Sequence, residues 1–442
     1  MKKLLTLLLA LMFSHGLRAQ DNTFSLKKAI EYALVNQHSV KNALLDEEIA
    51  RKKVNELVGI GTPQIEASAE LNDFLKIPVS FVPGEFFGGE PGTFFPVQFG
   101  QQFSASAGVS VSQLLFDGSY LVGLQASRTY QELSRKQVKQ SRTDVAINVS
   151  KAYYGALVSD ARLEIIEANI QRVDKLLSDT RALYQAGFVE KIDVDRLELT
   201  ANNLKVEKDK MNRYKSISYS LLKFQMSFPM GQEITLSDKL EETALAGAAL
   251  PDSVNYANRP EYEVLNVSRQ LQELDMKRYK STYLPSLVAF GSFSYNNSRS
   301  DFDIFDTGLR WFPTAVIGAK LTIPIWDGLQ KSARVSQAKL KLQQVDNSIE
   351  MAKSGFQLEL SNAKANYQNN SSSLGIVKKN RELAMDIAKT AKIKYDNGVG
   401  SSLELVDAES SLREADANYF STLYETIIAR IDLDKASGNI SY

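Results

Sequence analysis

The sequence predicts a mainly α-helical chain with a smaller β part, built as two copies of one unit. Three observations predict this: motifs that occur twice at a near-constant offset, four segments of strict apolar and polar alternation, and two long proline-free heptad stretches. Phe116-Asp117-Gly118 returns as Trp326-Asp327-Gly328, 210 positions on, and Tyr184-Gln185-Ala186-Gly187 returns as Tyr395-Asp396-Asn397-Gly398, 211 positions on. Thr62-Pro63-Gln64-Ile65 has its counterpart in Leu284-Pro285-Ser286-Leu287 at an offset of 222, so the first copy carries an insert between Pro63 and Asp117. Each copy reads as a helix, two strands and a long helical hairpin. The expected boundaries are an export signal over 1–19, a first copy over 20–230 and a second over 231–442.

The first residues have the pattern of a secretion signal. Lys2 and Lys3 precede an apolar run from Leu4 to Phe13 that is too short to cross a bilayer as a helix, and Leu17-Arg18-Ala19 fits a cleavage site before Gln20. A cytosolic protein with an apolar first strand is the competing reading. The 442 residues contain no cysteine, which excludes disulfides and a lipid-modified N-terminal cysteine. Every later apolar run is broken by polar residues, so no further transmembrane helix is expected. Lys and Arg together number 52 and Asp and Glu 52, a net charge of zero that argues against nucleic acid as a partner.

The strands follow from period two. Ile65, Ala67, Ala69 and Leu71 alternate with Glu66, Ser68, Glu70 and Asn72. Phe103, Ala105, Ala107, Val109 and Val111 alternate with Ser104, Ser106, Gly108, Ser110 and Ser112. Leu287, Ala289, Gly291, Phe293 and Tyr295 form one face of the third segment. Ala315, Ile317, Ala319, Leu321 and Ile323 form one face of the fourth, opposite Gly318, Lys320 and Thr322. Such alternation fits a sheet packed on a soluble core, or a membrane barrel with its apolar side toward lipid. Each segment reaches the roughly 9–11 residues a spanning strand needs. Four strands cannot close a barrel, and open edges are not tolerated in lipid, so a membrane reading requires an oligomer. The connections, 76–100 with Phe86, Phe87, Phe94 and Phe95, and 296–313 with Phe302, Phe305, Trp311 and Phe312, read as long loops with aromatics near the strand ends.

The helices follow from heptads. No proline occurs between Pro96 and Pro229 or after Pro324. Val145, Val149, Ala152, Ala156, Ser159, Leu163, Ile166, Ile170, Val173, Leu177, Thr180 and Tyr184 keep a 4-3 spacing without a slip. So do Phe356, Leu360, Ala363, Tyr367, Asn370, Leu374, Val377, Arg381, Ala384, Ala388, Ala391 and Tyr395. A seam at 3.5 residues over so many turns specifies coiled-coil packing. A helix from Ser119 to Tyr184 would be about 100 Å long. Gly187 and Gly398 stop each stretch, after which heptads resume at Val194, Leu197, Ala201 and Leu204, and at Leu405, Ala408 and Leu412. The heptads alone are satisfied equally by a solid helical bundle and by a hollow one.

No chemistry is expected. His15 falls in the signal and His38 stands alone, leaving no histidine-based metal cluster or catalytic triad. Gly59-Ile60-Gly61 is followed by Thr62-Pro63 and opens no phosphate-binding helix. The reading is of a non-enzyme with no cofactor and no metal.

Over nearly the whole mature chain the sequence resembles the TolC-like outer-membrane efflux proteins. The resemblance rests on Leu114-Leu115-Phe116-Asp117-Gly118, on Ile323-Pro324-Ile325-Trp326-Asp327-Gly328, and on the two helix turns, Tyr184 to Val194 and Tyr395 to Ala408, in order on the duplicated frame. It implies a homotrimer whose twelve strands, four per chain, form one barrel in outer-membrane lipid of a Gram-negative cell. A hollow α-helical coiled-coil barrel would continue it into the periplasm. The tip, Gly187, Phe188 and Val189 with Gly398, Val399, Gly400 and Ser401, would dock a periplasmic adaptor (membrane fusion) protein, and an inner-membrane transporter would act through that adaptor. By the same resemblance, Asp193 and Tyr395 fall on gate positions, and Glu404 and Asp407 on rings of carboxylates that favour cations in a narrow pore. Gly400 departs from the pattern, because the best-known member of the family has a gate arginine there. The implied function is a passive exit duct of a tripartite efflux pump. The alternatives are the outer-membrane component of type I protein secretion, and an exported coiled-coil structural or adhesive protein. For Glu404 and Asp407 taken alone, a solvated helix face is the plainer reading.

Overall fold

The computed structural model describes residues 22–240, 250–303, 306, 308 and 310–439. The export signal expected over 1–19, with His15, and Phe305 of the second strand connection lie outside them. The element order is β1 (Thr23–Phe24), α1 (Leu26–Asn36), α2 (His38–Ile60), β2 (Gln64–Asp73), β3 (Val79–Pro83), β4 (Phe94–Gln98), β5 (Phe103–Asp117), α3 (Gly118–Gln185), α4 (Lys191–Met226), β6 (Thr235–Leu236), α5 (Pro260–Ser281), β7 (Ser286–Arg299), β8 (Phe312–Thr322), α6 (Gln330–Asp396) and α7 (Ser402–Ser437). The chain divides into a strand unit, Glu48–Leu133 with Val267–Asn347, and a helical unit, Met1–Glu47 with Ser134–Asn266 and Ser348–Tyr442.

The strand unit holds a four-stranded antiparallel sheet in the order β2-β5-β7-β8, so the two copies' strand pairs join through β5 and β7. The registers put the apolar residues on one face. Ile65 faces Val111 and Ala67 faces Val109; Val109 faces Phe293 and Ala107 faces Tyr295; Gly291 faces Ile317 and Leu287 faces Leu321. Among the described residues most of that face is uncovered, with Ile65 72% and Ile317 92% exposed, although Ala105 on it is buried. The strands of 10, 15, 14 and 11 residues all reach spanning length. β2 and β8 are open edges.

The repeated Asp-Gly pairs sit where strands become helices. Asp117 Oδ1 accepts from Tyr120 N at 2.8 Å and Ser119 Oγ at 2.6 Å, and Asp327 Oδ2 accepts from Lys331 N at 2.9 Å. Each carboxylate satisfies helical N–H groups that have no partner in the first turn. Gly118 sits close to its neighbours: a Cβ there would lie 2.8 Å from Leu284 Cδ1, a movable side-chain end, and 3.1 Å from Ser281 O.

Two features differ from the sequence expectation. The 76–100 connection is not a plain loop: β3 and β4 pair as an antiparallel hairpin, Val79 with Gln98 through Pro83 with Phe94. Its Phe- and Val-rich segments favour extended backbone, and a left-handed Gly88 (φ 74°) ends the single 3₁₀ turn Gly84–Phe87. The first copy's opening helix is also two helices, because Gln37 leaves helical geometry (ψ 129°) and its Oε1 accepts from Ser39 N at 2.7 Å.

In the helical unit the predicted seams are the buried lines. Val149, Ala156, Val173 and Thr180 of α3, Leu197 and Leu204 of α4, Ala388 and Ala391 of α6, and Leu405 and Leu412 of α7 are all buried. Tyr184 breaks the expectation: it is exposed, and the first seam ends at Thr180. A second core gathers Phe24, Ala29, Ala33, Tyr153, Leu222, Met226 and Phe228, where Tyr153 donates its hydroxyl to Phe24 O at 2.9 Å. β1 and β6 pair in parallel, Thr23 with Thr235, which ties the starts of the two copies together.

The hairpin tips as candidate functional site

The α3 and α6 helices end at the tips in the same way, built twice. Phe188 N donates to Leu183 O at 2.9 Å and Gly187 N to Tyr184 O at 3.0 Å; Val399 N donates to Lys394 O and Gly398 N to Tyr395 O, both at 3.0 Å. This is the Schellman end of a helix, and it demands a left-handed residue, here Gly187 (φ 79°) and Gly398 (φ 73°). The next residues project outward, with Phe188 79% and Val399 78% exposed at matched positions. Behind the turns a four-helix core holds Leu176, Leu177, Val194, Leu197, Ala388, Ala391, Leu405 and Ala408.

The residues expected at the gate make specific contacts. Asp193 Oδ2 accepts from Glu190 N at 3.2 Å, capping α4, while its Oδ1 accepts from Ser402 Oγ at the start of α7. The carboxylate thus joins the two tips, and Arg196 lies 3.9 Å from it. Tyr395 is half-buried, and its hydroxyl meets Thr180 Oγ1 at 2.9 Å, a second link between copies. Glu404 pairs with Lys394 at 3.2 Å, both side chains about half exposed. Asp407 is exposed one turn further on. Glu404, Asp407, Asp386, Lys394 and Ser411 line a cleft of about 510 Å³.

Gly400 is a structural requirement of its turn. Its N–H donates to Lys394 O at 3.1 Å, and a Cβ there would lie 2.9 Å from Lys394 Cβ and 3.1 Å from Tyr395 N. This turn has no room for an arginine, and Lys394, six residues earlier, supplies the cation beside Glu404. Sequence reading missed Thr180, Lys394 and Ser402 as partners. Thr180 had a visible signal, a polar residue in an apolar seam, and Ser402 lies beside the Ser401 helix cap.

Above the tip lies a buried ionic layer. Glu409 is 4% exposed and sits 3.5 Å from Arg172; Asp416 is 8% exposed and accepts from Arg381 Nε at 2.7 Å. Burial pushes the Glu409 carboxyl above its ordinary range, opposed by Arg172. Arg381, a seam position, also lies 4.9 Å over the Tyr419 ring. Among the described residues no group of three or more His, Asp or Glu is placed to hold a metal, and no helix is long and apolar enough to cross a membrane.

The sequence profile of the outer membrane efflux proteins matches residues 29–205 and 256–439, one block in each copy. The chain belongs to that family. Outer membrane protein TolC of Vibrio cholerae is 22% identical over 346 residues, covering 76% of this chain and 77% of the relative. The toluene efflux pump outer membrane protein TtgC of Pseudomonas putida is 21% identical over 346 residues, 76% and 69% of the two chains. Among solved structures, CusC, described for its folding and transmembrane channel formation, superposes with a TM-score of 0.74 at 17% identity over 96% of this chain and 95% of that one. The Campylobacter jejuni CmeC outer membrane channel gives 0.71 at 17% identity over 94% and 85%. As a member of the outer membrane efflux family, this chain is an outer-membrane channel protein of efflux transport and not an enzyme. Its mainly helical fold with one four-stranded sheet is the fold of those channels.

Proposed function

We propose that three copies of this chain form a passive exit duct, in which β8 of one copy pairs with β2 of the next to close a twelve-stranded outer-membrane barrel. The observation that carries this reading is the sheet itself. It has spanning-length strands, one continuous exposed apolar face and two unpaired edges, and each of these is costly in water or lipid until further copies close the ring. The long helices line the path through the periplasm. Phe188 and Val399, two exposed apolar residues on twin turns, with Gly187, Val189, Gly398, Gly400 and Ser401 around them, dock a periplasmic adaptor, through which an inner-membrane transporter supplies the energy.

The gate is a set of three contacts behind those turns, two between the copies and one within the second hairpin. Asp193 with Ser402, Tyr395 with Thr180, and Lys394 with Glu404 hold the tips inward, and Lys394 takes the part that an arginine at 400 would play. Glu404 and Asp407, three of each around the axis, select for cations. The test is electron microscopy and single-channel conductance of the detergent-extracted protein. Three-fold hollow particles with low resting conductance, raised several-fold by Tyr395→Phe combined with Lys394→Met, support the duct and its gate. A monomer, or a trimer whose conductance ignores both substitutions, sinks the duct or the gate respectively.

A further inference from the structure

The β3–β4 hairpin is the part of the strand unit that a barrel of β2, β5, β7 and β8 does not use. It extends the β2–β5 ribbon at the end remote from α2 and α3: Phe74 N still donates to Gln102 O at 2.7 Å, and Gln102 Nε2 to Asp73 Oδ1 at 3.1 Å. β2 and β8, at 10 and 11 residues, already supply the length that crosses hydrocarbon, so the hairpin stands beyond it.

Its surface is apolar on both sides. The register places Phe81 and Phe94 on one face and Phe95 on the other, where Phe87 meets it edge-on at 6.0 Å. Exposure is 71% for Phe81, 63% for Phe94, 62% for Phe87 and 46% for Phe95. An isolated two-stranded hairpin is marginal in water, and exposed aromatic patches of this kind mark a contact surface.

We propose that these rings dock on the hairpins of the neighbouring copies, the Phe81 and Phe94 face of one against the Phe87 and Phe95 face of the next. The three hairpins together form an apolar collar over the mouth of the barrel. Three observations choose a second copy over lipid. Lipid would cover one face, whereas a cyclic head-to-tail ring uses two different faces on every member. The only charged residues between Val79 and Gln98 are Glu85 and Glu90, which suits no anionic headgroup layer. And β3 follows β2, an open edge of the sheet. Three hairpins packed in this way narrow the mouth, so the collar restrains entry from outside independently of the tips. The proposal rests on the three-copy reading.

The cysteine-free sequence makes the test direct. Phe81→Cys with Phe95→Cys puts one thiol on each face, and Ser80→Cys with Phe94→Cys does so with the faces exchanged. Mild oxidation of the full-length, detergent-extracted protein is expected to give disulfide-linked dimers and trimers for at least one pair and none for the four single variants. Native mass of the unoxidised protein is read alongside. Intact trimers with no cross-linking in either pair overturn the collar and leave the duct standing. Cross-linking by single variants means like faces meet, and also overturns it. Absence of trimers from the unsubstituted protein removes the duct reading and the collar with it. A spin label on Phe81→Cys in reconstituted trimers gives the second readout. Stronger relaxation by oxygen than by a water-soluble nickel chelate would put lipid on this face and overturn the proposal.

Discussion

The two hairpin tips share the Schellman end of the helix and part just past it, where Gly400 N returns to Lys394 O in the second turn and Val189 stands at the matched position in the first. At matched positions the first turn carries Tyr184, Val189 and Asp193, and the second carries Tyr395, Gly400 and Glu404. Tyr184 is exposed, whereas Tyr395 is half-buried and bonded to Thr180 of the first copy. Asp193 caps its own helix and reaches Ser402 of the second copy, whereas Glu404 pairs within its own hairpin, with Lys394. The lesson is that duplication fixes the frame, while each link between copies needs at least one residue that has diverged, Thr180 for Tyr395, and Asp193 and Ser402 for the other.

Substitutions that make the tips alike should break this asymmetry. The largest effect is expected from Gly400→Val, which copies the first turn into the second. Its Cβ collides with Lys394 and Tyr395, so the turn should lose about 1–3 kcal/mol. Faster amide exchange around 395–402 would report it, and unchanged exchange would show that the turn relaxes freely. Asp193→Ala removes a cap and a cross-copy bond and should cost about 1–2 kcal/mol locally, well above Glu404→Ala. Equal effects would make the two carboxylates equivalent after all. Tyr395→Phe should cost about 1 kcal/mol, and Tyr184→Phe nothing measurable by the same exchange experiment. Lys394→Met breaks a half-exposed ion pair and should change stability by less than about 1 kcal/mol, so any effect should appear in conductance instead.

The smallest effect concerns the buried layer. A carboxyl whose folded pKa is raised contributes its stability below the unfolded pKa and loses it as pH rises through the folded one. The thermal midpoint of the wild-type protein minus that of Glu409→Gln should therefore fall as pH rises above the ordinary carboxylate range. A flat difference would mean that Arg172 offsets the burial completely.

Most of the fold was legible because it is periodic. The alternation in Ile65 to Leu71 and Ala315 to Ile323, and the heptads from Val145 to Thr180, each repeat a local rule often enough to be read without a structure. The β3–β4 hairpin was not legible, since its Pro and Gly content matches a loop as well as a ribbon. The tip could be placed from Gly187 and Gly398, but its contacts could not. Whether Tyr395 meets Thr180, or Asp193 meets Ser402, depends on the relative rotation of helices some two hundred residues apart, and a one-dimensional pattern does not set that rotation. Tyr184 shows the same limit, as it keeps the heptad spacing yet lies beyond the last layer of core.

The pairing of β5 with β7 has a further consequence. Inside the chain it is the same kind of antiparallel junction that β8 and β2 would make between chains in the proposed three-copy assembly. A single copy of the unit, with two strands and one helical hairpin, could close an equivalent ring only in six-fold form, with every turn identical. Joining two units in one polypeptide lowers the symmetry to three and yields two independently inherited sets of turns. A mutation then enters three positions of the ring rather than six, and a glycine can be kept in one set while a valine is kept in the other.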